Sequence, residues 1–145
     1  MTHTDISAIQ EEIIEEFALF DNDQDKYSYL IDLGKQLPPL TEAERSPENI
    51  VKGCQSKVWL VTDLDEQMQQ IIYRADSDAL IVKGLIGLLL RVFSGQSPQA
   101  ILEAEVYFIE KIGLNQMLSM TRSNGLAAML KQIKRYALAY QSKVD

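Results

Sequence analysis

The stretch from Ala79 to Phe93 is apolar on nearly every side. A helix with that pattern has no face to offer to water, so other elements must surround it. Crossing a bilayer takes about 20 apolar residues, and this block is shorter and interrupted by Lys83 and Arg91. A buried central helix is the remaining solution, with Ser77 or Asp78 as its N-cap. Gly84 and Gly87 lie inside it, where small residues permit close packing. The rest of the chain has to supply the cover. With 145 residues, 46% of them hydrophobic, it can do so as a single domain over the whole length.

Helices are expected before and after this block, with strands just ahead of it. Ile6, Ile9, Ile13, Phe17 and Phe20 recur at three- and four-residue steps opposite Glu11, Glu12, Glu15 and Glu16. With Thr4 or Asp5 as cap, they make a first amphipathic helix. The turn Asp21 to Asp25 leads into a second helix, lined by Tyr27, Leu30, Ile31 and Leu37 and stopped by Pro38-Pro39. These two are expected to form an antiparallel hairpin. The period then changes. Asn49–Val51, Lys57–Thr62 and Gln70–Arg74 read as three short strands, with a turn at Asp63–Glu66, and short links make them an antiparallel meander. Beyond Phe93, Ser97-Pro98 opens a short helix to about Glu105. Another runs from Val106 to Ile112, with Gly113 as its stop. The last starts near Ser123, with Leu126, Met129, Leu130, Ile133, Ala137 and Tyr140 as its stripe. The expected class is α+β: a small antiparallel three-stranded sheet covered by helices.

Charge and cysteine usage exclude several functions. The net charge is −7, which repels phosphate backbones and argues against nucleic acid. The charge is also unevenly placed. Eight acidic residues and no Lys or Arg lie between Met1 and Asp25, whereas Arg122, Lys131, Lys134, Arg135 and Lys143 make the last helix basic. No secretory or membrane segment is expected. Cys54 is the one cysteine, so no disulfide can form within the chain, and a reducing, cytoplasmic setting is the natural reading. His3 is the one histidine and lies at a terminus, so neither a thiolate–imidazole metal site nor a Ser-His-Asp triad has its parts.

Cys54 is the residue with chemistry. Lys52-Gly53-Cys54-Gln55-Ser56-Lys57 is a polar loop between two expected strands. The two lysines favour the thiolate over the thiol. Gly53 lets the backbone change conformation, and Val51, Val58 and Trp59 offer apolar shelter. A reactive cysteine on this loop suits a thiol acceptor. It also suits a stand-alone thiol enzyme, though no base is at hand, or an interaction module in which Cys54 merely packs. Asp76 and Asp78 lie at the strand-to-helix junction, where a carboxylate can cap the central helix and meet its dipole.

The segment Gly53-Cys54-Gln55-Ser56-Lys57-Val58-Trp59 closely resembles the signature loop of the SufE family. Arg45-Ser46-Pro47-Glu48-Asn49 resembles the family's lead-in. Asp76-Ser77-Asp78-Ala79 with Ile81-Val82-Lys83-Gly84-Leu85 is similar to its central-helix start, and Arg122-Ser123-Asn124-Gly125-Leu126 to its last-helix element. The resemblance spans roughly Asp25 to Ala139 in the right order. It implies the fold shared with IscU-type scaffolds and a sulfur carrier rather than an enzyme. Cys54 would take a persulfide sulfur from a pyridoxal-phosphate cysteine desulfurase of the SufS or CsdA kind, with that cofactor on the partner and none on this chain. Gly53, Gln55, Ser56, Asp76 and Arg122 would form the loop and the partner-binding set, and no metal is held. The sulfur would pass chiefly to a cluster scaffold for iron–sulfur assembly. A CsdE-like acceptor serving another sulfur pathway is the alternative.

Overall fold

A computed structural model describes residues 5–53, 56–114, 118 and 120–144, with the backbone alone for 120–123 and 143–144. The elements in order are α1 (Ile6–Phe17), α2 (Asp23–Lys35), a single 3₁₀ turn at Pro47–Asn49, β1 (Val58–Asp65), β2 (Gln70–Ser77), α3 (Leu80–Phe93), α4 (Pro98–Glu103), α5 (Phe108–Lys111) and α6 (Met120–Val144). The class is α+β, as expected.

α3 is the hub. Leu85, Leu88, Leu89, Val92 and Phe93 are buried along it, and α2, β2, α1 and α6 all pack against it. Its two cations reach the edges of the core and end in ion pairs, Lys83 with Asp76 and Arg91 with Glu16 and Glu12. Leu80, at its first turn, stays half exposed.

Among the described residues the sheet has two strands where three were expected. β1 and β2 pair antiparallel from Val58–Ser77 to Asp65–Gln70. The expected first strand is reduced to one bridge, Ile50 to Trp59. The reason is local. Pro47 starts a helical turn through Asn49, so the backbone is extended for too few residues to build a ladder. The expected turn at Asp63–Glu66 is also shifted. β1 runs on to Asp65, and Gln69 takes the left-handed conformation at φ 53° that closes the connection.

The first two helices are not a hairpin packed along its length. They meet near their connection, where Phe17 and Tyr29 stack edge-on with centroids 5.2 Å apart and Tyr29 Oη donates to Glu16. Burial and the Glu16 carboxylate together push the Tyr29 phenol up to about 12. The main partner of α2 is instead α3. Gly34 and Gly84 face each other at this crossing. A Cβ on Gly34 would lie 2.8 Å from the Gly84 nitrogen, and one on Gly84 would overlap the Leu30 carbonyl. Close packing explains Gly84 but not Gly87, around which there is open space.

Polar side chains tie the outer elements down. Asp5 caps α1 through the Ser7 amide, Asn22 caps α2 through the Asp25 amide, and Ser97 caps α4 through the Ala100 amide. Gln10 is fully buried on the apolar stripe of α1. It donates to the Glu105 carbonyl and accepts from the Tyr107 and Phe108 amides, which fixes α1 to the α4–α5 connection. Tyr73 Oη on β2 donates to the Ile133 carbonyl on α6 at 2.8 Å. Burial, and then the nearby Tyr140 and Tyr136, push its pKa up. α6 opens at Met120, three residues before the expected start.

Gly84→Ala is expected to force α2 from α3 and cost about 3 kcal/mol in urea unfolding, at the upper end for overpacking. Gly87→Ala, three residues away, should be neutral or gain up to about 1 kcal/mol from helix propensity. Equal effects of the two would show that the crossing is not set by the glycine contact.

Candidate functional site

The loop from Lys52 to Lys57 leaves and re-enters the sheet at two clamped points. On the entry side the Val51 amide donates to the Val58 carbonyl at 2.8 Å. On the exit side Lys57 is held at both ends of its backbone. Its amide donates to Asp78 Oδ1 at 3.0 Å, and its carbonyl accepts from Ser77 Oγ at 2.8 Å and from the Asp78 amide at 3.2 Å. The hairpin reading of this loop therefore holds, though one of its strands is a single bridge. Gly53 has φ 97°, a conformation that glycine adopts without strain. A Cβ there would also come within 3.2 Å of the Ala128 Cβ, so the loop lies against α6. Val51 and Val58 are buried beneath it and Trp59 is half-buried. Cys54 and Gln55 lie outside the described residues, and Ser56 is half-buried.

Asp76 does not cap α3. It ends β2 with its carboxylate almost wholly buried. Arg45 donates to Oδ2 from Nη2 at 2.8 Å and from Nε at 3.2 Å. Lys83 Nζ lies 3.2 Å from Oδ1, which also accepts from the Ser77 amide at 2.8 Å. Burial pushes this carboxyl up, but the Ser77 amide, Arg45 and Lys83 outweigh it and hold the group below its ordinary value. The backbone explains why no cap forms. It stays extended through Ala79 at φ −116° and ψ 131°, and no side chain caps the helix. Ser77 Oγ instead takes the Ala79 amide at 3.2 Å, and Asp78 is engaged with the loop.

Arg45 was legible as part of a motif, but not as the ion-pair partner of Asp76. Its segment is held independently. Thr41 and Glu44 exchange side-chain and backbone bonds at 3.0 and 3.2 Å, the reciprocal arrangement of a Thr-x-x-Glu capping box. That spacing was the available signal. Arg74 grips the Glu44 carboxylate with both terminal nitrogens. This contact, followed by the Thr41 bond, lowers Glu44 to about 2. Asn49 Nδ2 then donates to the Glu44 carbonyl at 2.8 Å. The lead-in is thus bolted to β2 twice, through Asp76 and through Arg74.

Arg122 lies in the first turn of α6, and its side chain is outside the described residues. Six residues separate it from Ala128, about 9 Å along a helix axis. The helix that carries it therefore also carries the contact with Gly53. Among the described residues, no three His, Cys, Asp or Glu side chains converge to hold a metal ion. No described helix is long and apolar enough to cross a membrane.

Comparison with known proteins places the chain in a family. A family model described as "SufE: Fe-S metabolism associated domain" matches residues 11–137. An uncharacterized SufE-like protein of Rhizobium etli is 44% identical over 130 residues, which is 88% of each chain. One from Rhizobium meliloti is 42% identical over 130 residues, 88% of this chain and 93% of that protein. The solution structure of a hypothetical protein from Thermus thermophilus superposes with a TM-score of 0.71 at 24% identity, covering 90% of this chain and 96% of that one. It shares the fold.

Asp76→Asn should lower stability near neutrality by about 2 kcal/mol, the scale of lost charge-assisted bonds. The sign with pH follows from the lowered native value. The stabilisation is full above the ordinary carboxylate range, near pH ~4, and is lost as pH falls through the native value. Urea unfolding of both proteins from neutral to acid pH should show the gap closing toward acid. A gap that does not change with pH would mean the ion pairs contribute nothing.

Proposed function

We propose a sulfur-carrier function for this chain, which belongs to the SufE family. The family is one of sulfur acceptors and activators, and its role is sulfur-transfer related. In the finer reading, Cys54 accepts a persulfide sulfur from a pyridoxal-phosphate cysteine desulfurase and passes it on, chiefly to a scaffold for iron–sulfur clusters. The supporting observation is the built loop. Its base is clamped by the Val51–Val58 bond and by Ser77 and Asp78 on Lys57, while a left-handed glycine sits directly before the cysteine.

The chemistry needs little else from this chain. The Cys54 thiolate attacks the terminal sulfur of the donor's persulfide. A bond forms between that sulfur and Cys54 Sγ, and the bond to the donor's own sulfur breaks. The electron pair leaves on the donor as a thiolate, so no external oxidant or reductant is consumed. The exposed Lys52 and Lys57 favour the attacking thiolate. A second cysteine on the carrier would discharge the product as a disulfide, and the chain has none. Gly53 and its neighbours Gln55 and Ser56 let Cys54 turn outward to meet the donor and inward over Val51 and Val58 to shelter the persulfide. Asp76 holds the framework from which that motion takes place. Arg122 contacts the partner, since a guanidinium suits fixed bonds to carboxylates or carbonyls.

Incubation with a cysteine desulfurase and free cysteine should add one sulfur atom to the intact mass, removed by reductant and absent in Cys54→Ser. Turnover by this chain with no desulfurase present would sink the carrier reading. Arg122→Ala should reduce stimulation of the desulfurase about ten-fold, the scale of one lost charged contact, with a nearly unchanged melting temperature. Normal stimulation together with a large fall in melting temperature would instead make Arg122 an internal tie.

A further inference from the structure

The loop that carries Cys54 borders a groove of about 510 Å³, lined among others by Lys52 and Gly53 on the loop side, Glu48 before it, and Ala128, Lys131 and Arg135 on α6. The α6 residues share one face, because positions three and four apart stack on a helix. Their exposure has a structural meaning. Lys134, the intervening cation, is spent on the Leu102 and Ala104 carbonyls at 3.4 and 2.8 Å. Lys131, Arg135 and Lys52 are exposed and enter no ion pair among the described residues. Three cations against Glu48 make this groove positive on a chain whose net charge is −7.

We propose that this groove receives an acidic, carboxylate-bearing segment of the sulfur-donating protein and sets the orientation in which it meets Cys54. The inference rests on the carrier reading and deepens it. Most of the surface of so acidic a chain repels an acidic partner, and α1 does so most strongly. The three cations gathered in the groove offer such a partner a local attraction, so approach is steered there. Because Gly53 lines the groove, a segment seated in it lies beside the residue that precedes the nucleophile. Arg135 and Lys131 offer donors on fixed helical positions, and Lys52 offers one on the loop itself. An occupied groove therefore also bears on the loop's conformation. A phosphate backbone is the competing occupant, and the charge of the whole chain disfavours it.

The test titrates the carrier against its cysteine desulfurase and follows alanine release, at low and at high ionic strength. Lys131→Glu with Arg135→Glu should lower kcat/KM about ten-fold or more at low salt, while the rate at saturating carrier stays within about two-fold of the parent. A control with the same change in net charge, Lys35→Glu with Lys111→Glu, alters two exposed lysines outside the groove and should leave kcat/KM within about two-fold. Salt should weaken the parent toward the double variant. An equal loss in the control, or no loss in either, overturns the proposal. So does binding of a single-stranded oligonucleotide that is abolished by the same pair of substitutions. If the reversal variant does not fold by its melting curve, Lys131→Ala with Arg135→Ala replaces it, with a smaller loss of the same kind. If the parent gains no sulfur at all, the carrier reading fails. The groove is then judged separately, by whether Cys54→Ser protein binds the desulfurase and loses that binding with the groove cations.

Discussion

The buried carboxylate of Asp76 joins three stretches of chain, one of them 31 residues away in sequence. Arg45 comes from the lead-in before the loop, Lys83 from the first turn of α3, and Asp76 itself from the end of β2. Desolvating a carboxylate is costly, and it is tolerated here because two cations and the Ser77 amide fill its lone pairs. The result is a fixed corner. From it Ser77 and Asp78 reach back to Lys57, so the exit of the loop inherits its position from the Asp76 corner. The loop is framed by charge, while the core beneath it is framed by packing.

The two frames meet in α3. Its apolar surface demands neighbours on all sides, and the Gly34–Gly84 contact lets α2 come close enough to be one of them. The cations that interrupt its apolar run are what connect it to the rest. Lys83 anchors its start to the Asp76 corner, and Arg91 anchors its later turns to Glu16 on α1. One buried helix thereby orders the acidic N-terminal helix and the loop framework at the same time. The eight acidic residues of that N-terminal region are thus partly structural. Glu16 and Glu12 pair with Arg91, and Asp25 and Asp5 serve helix starts.

Basic residues on α6 divide the same way. Lys134 reaches inward to carbonyls left over at the end of α4, whereas Lys131 and Arg135 line the groove beside Gly53. About 100° of rotation about the helix axis separates the structural cation Lys134 from the available Arg135. Charge counting along the sequence registers all three alike. Only their angular positions on a helix whose packing is known tell them apart.

Much was legible before any coordinates. The apolar run of α3, the stripe of α1, the capping residues Asp5 and Ser97, and the Gly113 stop follow from periodicity and local chemistry that act within a few residues. Cys54 stood out for the same kind of reason, since a lone thiol between lysines on a glycine loop is a local pattern. What escaped was non-local. The third strand failed because Pro47 committed the backbone to a turn, leaving Ile50 a single bridge. The expected α1–α2 hairpin gave way because a glycine on α2 found a glycine on α3. Asp76 was read as a cap from its place in the chain, yet its partners lie 31 residues before it, at Arg45, and seven residues after it, at Lys83. Local sequence determines which segments become helices and that the lone cysteine falls between lysines in a glycine-containing segment, because those outcomes depend on neighbours a few residues away. Which side chains meet across the fold is decided by the tertiary structure alone, because burying a charge is permitted only where distant partners arrive together to neutralise it.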